Sequence, residues 1–558
     1  MQIPGNVIRL LVRSHPFSLA PCILVLVFFP GLVESQSVSG TRRGTGRTAK
    51  TTPELNRSAQ ESLDRALAAL EANSLEEAER AARAAISAAP RSATTHNVLG
   101  VVLDRLGRAD EAFNEFKVAV KLDSNFLSAR NNLGRMFAQR GQTSEAIAQF
   151  ESILKADPSY VQANYNLGML YISGGNFAKA ADHLGRARAA QPDDPQIGIS
   201  FVNVAYRSNR TTEAQSVTEL LAQKYASEPR ILFTLALVVA ENKDYQRAVT
   251  LMETVDKASP HTYEVLYNLG LAFYNLERND EAARCLAEAA DLNPDPPETH
   301  FRLGLIASSV NDHANAIEEF RHAIERDSKS PQYHFLLGRE YARIGYWDGA
   351  IEENTKAIAL SPNEAGYYYA RGNANYRKGE STAAAADFDA AKKLDSKIEN
   401  IDYLRGYVRR DAGDFEEARL ILEGVVAKEP NHVQALASLG FINIEQGRLD
   451  EAEADLKRVL ALEPNNVPAL YDYARLAVKR RDYTEAVARL QLVISKDPSN
   501  TQAHYQLFLA YSRLKQPDKA QVELAEFKRL EAMDKRAKDE RIYDDKVRTQ
   551  QMLGQPPK

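Results

Sequence analysis

Four histidines are the residues of this sequence best suited to metal chemistry. His96, His300, His334 and His504 lie at least 34 residues apart, whereas a metal site needs several ligands that the fold brings together. Adjacent pairs such as His300 and His334 could in principle share an ion. Imidazole rings also form ordinary hydrogen bonds inside folded proteins. We expect a structural role for all four histidines and predict no metal site.

The motifs of the common catalytic sites are missing from the sequence. It contains no GxxxxGK[ST] phosphate loop, no GxSxG nucleophile elbow and no HExxH zinc helix. The two cysteines, Cys22 and Cys285, are too few for a disulfide framework or a cysteine-rich metal site. We therefore expect a protein that is not an enzyme and that carries no cofactor.

Charge is distributed unevenly along the chain. The 558 residues carry 70 lysines and arginines against 75 aspartates and glutamates, a net charge of −5. The first 52 residues hold six basic residues and one acidic residue, so the remainder is more acidic than the whole. Phosphate binding needs clustered lysine and arginine, and the sequence has no long basic run. We expect no nucleic-acid partner.

The first 35 residues have the three-part pattern of a secretory signal peptide. Two arginines precede an apolar run from Phe17 to Phe29, and small or polar residues follow. The run is short for a membrane-spanning helix, which needs about 20 apolar residues. We predict cleavage near Ser35 and export to a bacterial periplasm or beyond, with an uncleaved membrane anchor as the alternative. Residues 36–58 contain almost no large apolar side chains and should form a flexible basic linker.

The rest of the sequence repeats with a period of 34 residues. Acidic residues or asparagine precede proline at positions separated by multiples of 34: Asp157-Pro158, Asn293-Pro294, Glu429-Pro430, Glu463-Pro464 and Asp497-Pro498. Windows of 34 residues from Ala59 to Asp534 give fourteen consecutive units without an insertion or deletion. Position 20 of all fourteen windows is alanine. Such regularity indicates one structural unit repeated fourteen times.

The positions within each window predict two antiparallel helices. Position 8 is glycine or alanine in twelve windows, and small residues at positions 8 and 20 would let the two helices approach closely. Position 15 is often glycine or asparagine, which accept the left-handed conformation that ends a helix. Proline near position 32 stops the second helix. Window 195–228 departs most from this pattern, and we expect a kink or a weakly packed region there.

This pattern closely resembles that of the tetratricopeptide repeat family. The fourth window matches the family motif nearly in full, through Asn166-Leu167-Gly168-Met169-Leu170-Tyr171, Ala180, Leu184, Ala187 and Pro192. The resemblance implies an all-α fold, a right-handed superhelical α-solenoid of about fourteen repeats. We predict the repeats at residues 59–534 and a C-terminal capping helix and tail at residues 535–558.

The resemblance also implies a binding groove lined by the first helix of each repeat, at positions 2, 5, 9, 12 and 13. In repeats nine to eleven these positions hold Phe335, Arg339, Arg343, Tyr369, Asn373, Tyr376, Arg377, Tyr403, Tyr407 and Arg410. Tyrosine and arginine are enriched at interface hot spots, and arginine can hold a carboxylate through two hydrogen bonds. We therefore predict a site for an extended segment with acidic or C-terminal carboxylate groups.

Two other interpretations of this groove stay open. The tyrosines belong to the usual pattern of the repeat, and scattered arginines also keep a helix face solvated. A second, weaker set of polar residues occupies repeats three and four: Asn131, Arg135, Gln139 and Tyr165.

The sequence as a whole predicts an exported scaffold that binds partner proteins or peptides in its groove. The alternative is a membrane-anchored component of an outer-membrane, secretion or polysaccharide-export assembly. A membrane enters either hypothesis only if the N-terminal segment is uncleaved.

Overall fold

The computed structural model describes residues 55–552, and their side chains as far as residue 536. Within this range the chain forms 28 α-helices and no strand, which confirms the all-α prediction. The predicted signal peptide, most of the predicted linker and the last six residues of the predicted tail lie outside the described residues. Among the helices described, none combines the length and the apolar character that crossing a membrane requires.

The chain divides into two compact units, with the boundary between residues 278 and 279. The described part of the first unit contains α1 Arg57–Glu71, α2 Leu75–Ala88, α3 Ala93–Arg105, α4 Ala109–Leu122, α5 Leu127–Gln139, α6 Thr143–Ala156, α7 Val161–Ser173, α8 Phe177–Ala190, α9 Pro195–Arg207, α10 Thr211–Lys224, α11 Pro229–Glu241, α12 Tyr245–Ala258 and α13 Tyr263–Asn275.

The described part of the second unit contains α14 Asn279–Leu292, α15 Pro297–Ser309, α16 His313–Arg326, α17 Pro331–Arg343, α18 Trp347–Leu360, α19 Ala365–Lys378, α20 Ser381–Leu394, α21 Ile401–Ala412, α22 Phe415–Lys428, α23 Val433–Glu445, α24 Leu449–Leu462, α25 Val467–Lys479, α26 Tyr483–Lys496, α27 Thr501–Arg513 and α28 Pro517–Met552. Helix α28 begins in the fourteenth window and continues without a break into the predicted capping segment.

Each 34-residue window contains one pair of helices, so odd-numbered helices are first helices and even-numbered helices are second helices. The window 93–126, for example, contains α3 and α4. Within each unit, helices adjacent along the chain pack against each other, and helices two places apart make fewer contacts. Each unit is therefore a solenoid of stacked helix pairs. The right-handed superhelix of the whole array stays a prediction.

Small residues bring the two helices of a repeat together, as the sequence predicted. Thirteen of the position-20 alanines are 0% exposed, and Ala520 is 4% exposed. At position 8, a Cβ atom added to Gly100 would lie 2.6 Å from the ring of Phe116, and one added to Gly168 would lie 2.6 Å from Leu184. Such distances are too short for non-bonded carbon atoms, so in these two repeats the large residue at position 24 requires a small residue at position 8.

The turn between the two helices has one backbone conformation throughout. All fourteen residues at position 15 have positive φ, from Asn73 at 54° to Gly379 at 95°. The amide of the following residue then bonds back into the first helix, as Arg108 N does to Leu103 O at 2.9 Å, which is the bond of a Schellman motif. The left-handed prediction is confirmed.

The fifth window packs its helices differently from the others. Its position 8 is the fully buried Val202, and the closest approach occurs one turn earlier, where a Cβ atom on Gly198 would lie 2.9 Å from Leu221. The hydroxyl of Thr218 donates to Ala214 O at 2.8 Å. Both α9 and α10 run without a break, so the departure from the pattern shifts the helix contact and interrupts neither helix.

Candidate functional site

The ten residues of the predicted site lie on three successive first helices of the second unit, α17, α19 and α21. They form two clusters. The first cluster borders a cavity between repeats nine and ten and contains Phe335, Arg339, Arg343, Tyr369, Asn373 and Arg377. The second cluster joins repeats ten and eleven and contains Tyr376, Tyr403, Tyr407 and Arg410. Their assignment to a partner-binding surface stays a prediction.

Two arginines of the first cluster contact a buried glutamate of the same helix. Glu340 is fully buried, and its Oε1 lies 3.3 Å from Arg339 Nη2 and 3.3 Å from Arg343 Nη1. The previous repeat adds Ser308 Oγ at 2.8 Å and His313 Nδ1 at 2.9 Å. Glu340 was not among the predicted site residues, because nothing in the sequence marks a single acidic residue on a helix as buried.

These contacts set the protonation of the glutamate. Burial raises the pKa of Glu340, but the charges of Arg339 and Arg343 and the bonds from His313 and Ser308 outweigh it, so the pKa lies below its usual value. The carboxylate is therefore ionised at neutral pH. Arg339 is only 7% exposed, and its guanidinium group pairs with the Glu340 carboxylate inside the protein.

The cavity has a volume of about 230 Å³ and is enclosed by α17, α18 and α19. Two of its lining residues, Trp347 and Asn354 from α18, were not among the predicted site residues. Trp347 is half-buried. Asn354 is 1% exposed and occupies position 24, where most windows have a large apolar residue. A polar residue at a position that is apolar in most repeats is the sequence signal that could have located the cavity.

Arg377 is an exposed cation of the first cluster. Its guanidinium carbon lies 5.3 Å from the centre of the Trp347 ring, within the range of a cation–π contact. The carboxylates of Asp348 and Glu380 pair with the neighbouring Lys378, and no carboxylate among the described residues forms an ion pair with Arg377. Arg377 is therefore the arginine of this cluster with the greatest capacity to meet an acidic partner.

The second cluster is a network of aromatic and charged side chains. Arg410 donates to Asp411 Oδ1 at 2.7 Å and to Ser438 Oγ at 3.2 Å, and its guanidinium lies 4.2 Å from the centre of the Tyr407 ring. The Tyr376 hydroxyl is 3.0 Å from Asp411 Oδ2. Burial and the bond with Tyr407 raise the pKa of Tyr376. Its hydroxyl is therefore neutral at pH 7 and acts as a hydrogen-bond donor within the cluster.

The weaker set in repeats three and four mostly joins first helices to one another. Asn131 Oδ1 accepts a bond from Asn166 Nδ2 at 3.1 Å, and Arg135 donates to Asp104 at 3.2 Å. Tyr165 is 1% exposed. Of this set of four only Gln139 is exposed, so these residues stabilise the stack and offer little surface.

The four histidines at position 4 bind glutamates at position 23 of their own repeats. The distances from Nδ1 to Oε2 are 2.6 Å for His96–Glu115, 2.8 Å for His300–Glu319, 2.6 Å for His334–Glu353 and 2.6 Å for His504–Glu523. Each pair joins the two helices of a repeat, which is a structural role. In the part of the chain that the structure describes, no group of three or more His, Cys, Asp or Glu is placed to hold a metal ion.

Comparison with known families gives two matching models, both described as tetratricopeptide repeat. One matches residues 63–125, 267–334, 335–397 and 403–467, and the other matches residues 137–198, 443–494 and 477–539. Together the matches span more than half of the chain. All ten residues of the predicted site lie within the matched ranges 335–397 and 403–467.

Several solved structures are similar to this chain at low identity. A tetratricopeptide repeat protein from Parabacteroides merdae is 17% identical, with a TM-score of 0.33, over 45% of this chain and 99% of its own. YrrB, described as a TPR protein with an unusual peptide-binding site, is 15% identical, with a TM-score of 0.31, over 33% and 95%. The Naa15/Naa10 structure with HypK-THB is 15% identical, with a TM-score of 0.34, over 88% and 97%. No curated protein sequence matches the chain significantly.

Proposed function

Because the chain belongs to the tetratricopeptide repeat family, we propose that it is an exported scaffold that binds partner proteins or peptides and catalyses no reaction. The binding surface is formed by the first helices of repeats nine to eleven, α17, α19 and α21. The observation that carries this proposal is the pair of adjoining arginine- and tyrosine-rich clusters on these helices, one of which borders a cavity.

The composition of the two clusters supports partner binding. Tyrosine and arginine supply large contact areas together with polar groups, and they dominate the energetics of many interfaces. Phe335 and Tyr369 are buried, whereas Arg377 is exposed and Tyr407 is partly exposed. A buried aromatic base with charged and hydroxyl groups at its edge suits an extended segment that carries carboxylates.

A charge-reversal experiment tests this surface. We would change Arg377→Glu and Arg410→Glu together and leave Arg339 and Arg343 intact, because these two neutralise the buried Glu340. The matched control is Lys393→Glu with Lys496→Glu, two exposed lysines on second helices. Purified chains would capture partners from native extract by crosslinking, with identification by mass spectrometry.

We expect a partner that the wild type and the control variant retain and that the Arg377/Arg410 variant loses. Circular dichroism should show equal helicity for all three chains. Equal capture by all three would place the partner surface elsewhere on the protein.

Export rests on the N-terminal sequence pattern, and the competing hypothesis is a membrane-anchored component of an outer-membrane, secretion or polysaccharide-export assembly. Fractionation of the native host followed by N-terminal sequencing separates the two. An exported, cleaved scaffold should begin near Ser35 and leave membranes on alkaline extraction. Retention of the apolar run from Phe17 to Phe29 in a membrane pellet would favour the anchored component, and recovery of the intact chain in the cytosol would contradict both.

A further inference from the structure

The buried end of the cavity contains a polar atom that is unusual for this repeat. Asn354 Nδ2 donates to Ala350 O at 2.7 Å, while no described residue donates a hydrogen bond to Asn354 Oδ1. A buried acceptor without a donor costs free energy. Thr218, the other polar residue at position 24, satisfies its hydroxyl within its own helix. Asn354 is therefore an acceptor that a ligand could satisfy.

The shape of the cavity follows from small side chains around this asparagine. The corresponding residues of the neighbouring repeats are Phe320 and Phe388, both fully buried, and the shorter Asn354 leaves part of that volume open. Glycine and alanine from α17 and α19 extend the space, including Gly366 and Ala370. The resulting volume of about 230 Å³ is smaller than the roughly 300–1,000 Å³ of pockets that hold drug-sized ligands, so the cavity suits a single inserted side chain.

The residues that line the walls and the rim of the cavity indicate the chemistry of a ligand that would fit it. Phe335 and Tyr369 are buried aromatic residues that line the interior, and Trp347 forms part of the wall. At the exposed side, Arg377 forms no ion pair with a carboxylate in the described part of the chain, and Arg343, with a 36% exposed side chain, shares its charge with Glu340. The rim is therefore cationic, and it favours an anionic ligand.

We propose that this cavity is an anchor site for an acidic peptide segment that inserts one aromatic side chain bearing a hydrogen-bond donor, a tyrosine or a tryptophan. The inserted ring packs against Phe335 and Tyr369, and its hydroxyl or indole N–H donates to Asn354 Oδ1. The carboxylates that flank the inserted residue lie against Arg377 and Arg343. This inference rests on the proposed partner-binding function and names the residue that such a partner supplies.

The only tryptophan of the chain, Trp347, provides a direct readout. Its emission would be followed while the full chain is titrated with the peptide acetyl-Asp-Glu-Tyr-Glu-Asp-amide. Matched peptides replace the central tyrosine with phenylalanine or alanine, or the four acidic residues with lysine. We expect a saturable change with the tyrosine peptide, about 5-fold weaker binding of the phenylalanine peptide because one hydrogen bond is lost, and at least 10-fold weaker binding of the alanine and lysine peptides. Equal affinity of the tyrosine and phenylalanine peptides would overturn the role of Asn354.

Two variants test whether the change in Trp347 emission reports binding in the cavity. Asn354→Leu restores the residue type found at position 24 in other windows, fills the cavity and removes the acceptor, so binding should fall at least 10-fold. Asn363→Leu, an exposed position of the same repeat, is the control and should bind as the wild type does. Should Asn354→Leu misfold, Ala370→Leu fills the same space from α19 and should give the same loss. Unchanged binding by a folded cavity-filled variant would overturn the proposal.

The peptide titration tests the anchor site and the capture experiment tests the partner-binding surface, so either proposal can be rejected without the other. Loss of partner capture in the Arg377/Arg410 variant without any peptide-induced change in Trp347 emission would retain the scaffold and reject the anchor site. A specific response to the tyrosine peptide without partner capture would retain the anchor site and reject the broader surface.

Discussion

At the residue scale, the candidate surface depends on which charges are already neutralised inside the protein. Arg339 and Arg343 hold the buried Glu340, together with Ser308 and His313 of the preceding repeat. These contacts join α17 to α15 and α16, so the same guanidinium groups that border the cavity also stabilise the stack. Removal of one partner from such a group leaves an uncompensated buried charge.

Glu340→Gln should destabilise the protein by about 3 kcal/mol at pH 7, since Arg339 and Arg343 lose their buried counter-charge. The pKa of Glu340 is lowered in the folded state. The stabilisation is therefore present above the unfolded pKa of about 4.3 and is lost as the pH falls through the lower folded pKa. Urea unfolding from pH 7 to pH 3 would measure this. The exposed Glu352→Gln is the control, and an equal effect of the two substitutions would contradict the prediction.

Asp455 presents the opposite case, a carboxylate whose ionised form is disfavoured. Burial raises its pKa to about 6, although Asn443 donates to it at 3.0 Å. Because the folded pKa exceeds the unfolded value of about 3.9, this group favours the folded state below pH 4, and that contribution is lost as the pH rises through 6.

Asp455→Asn should therefore stabilise the protein by about 1 kcal/mol at pH 7 and have little effect at pH 4. Thermal unfolding at both pH values is the measurement. Asp450→Asn, at a side chain that is 97% exposed, should show no such gain. A stabilisation that is the same at pH 4 and pH 7 would exclude titration of Asp455 as its cause.

At the scale of the helix pair, one left-handed residue terminates every first helix. Seven of the fourteen residues at position 15 are glycines, and the others include Lys243, Glu277, Arg481 and Lys515, all with positive φ. An L-residue with a long side chain is strained in this conformation. The position of the residue in the repeat overrides its own preference, because the hydrogen bonds of the turn and the packing of both helices hold the backbone there.

Lys243→Gly should stabilise the protein by about 1 kcal/mol, since glycine adopts φ 68° without strain. Gly107→Ala should cost about as much, although its Cβ atom would meet no neighbour within 4 Å, because backbone strain alone acts there. Chemical denaturation would measure both. Lys257→Gly, inside α12, is the control and should be destabilising; a gain from it would show that glycine acts through something other than the left-handed turn.

At the scale of each compact unit, stability accumulates between neighbours. The contacts are mainly between helices adjacent along the chain, with fewer between helices two places apart, so each repeat is supported by those next to it. A defect in one repeat should therefore spread only to adjacent repeats.

Gly100→Ala in the second repeat tests this locality. Its Cβ atom would lie 2.6 Å from the Phe116 ring, and we expect a loss of about 1–3 kcal/mol from overpacking. Hydrogen exchange should accelerate in repeats one to three and stay unchanged in repeats five and six. Adding Phe116→Leu to this variant should restore much of the protection against hydrogen exchange, because the leucine side chain is smaller than the phenylalanine ring. Uniform loss of protection across residues 59–262 would indicate cooperative unfolding of the whole unit.

The helix pairs could be predicted from the sequence because their determinants are local and repeated. Fourteen alanines at position 20, the small residues at position 8 and the turn residues at position 15 recur in the same register. Each acts within a single 34-residue window, so the pattern alone predicts where helices begin, end and touch. The four long side chains at position 15 fell outside the predicted residue types, since only the surrounding turn imposes their backbone conformation.

The candidate surface could be predicted from the sequence only in part, because its geometry depends on contacts between repeats. Family resemblance identified which positions to examine, and six of the ten predicted residues do border one cavity. The pairing of Arg343 with Ser308, 35 residues away, and the unsatisfied acceptor of Asn354 arise from contacts between repeats. The sequence by itself determined the period, the helices and the turns, because these follow from interactions within one repeat. Only the tertiary structure decided which arginines are engaged and where space remains, since both depend on side chains that neighbouring repeats bring together.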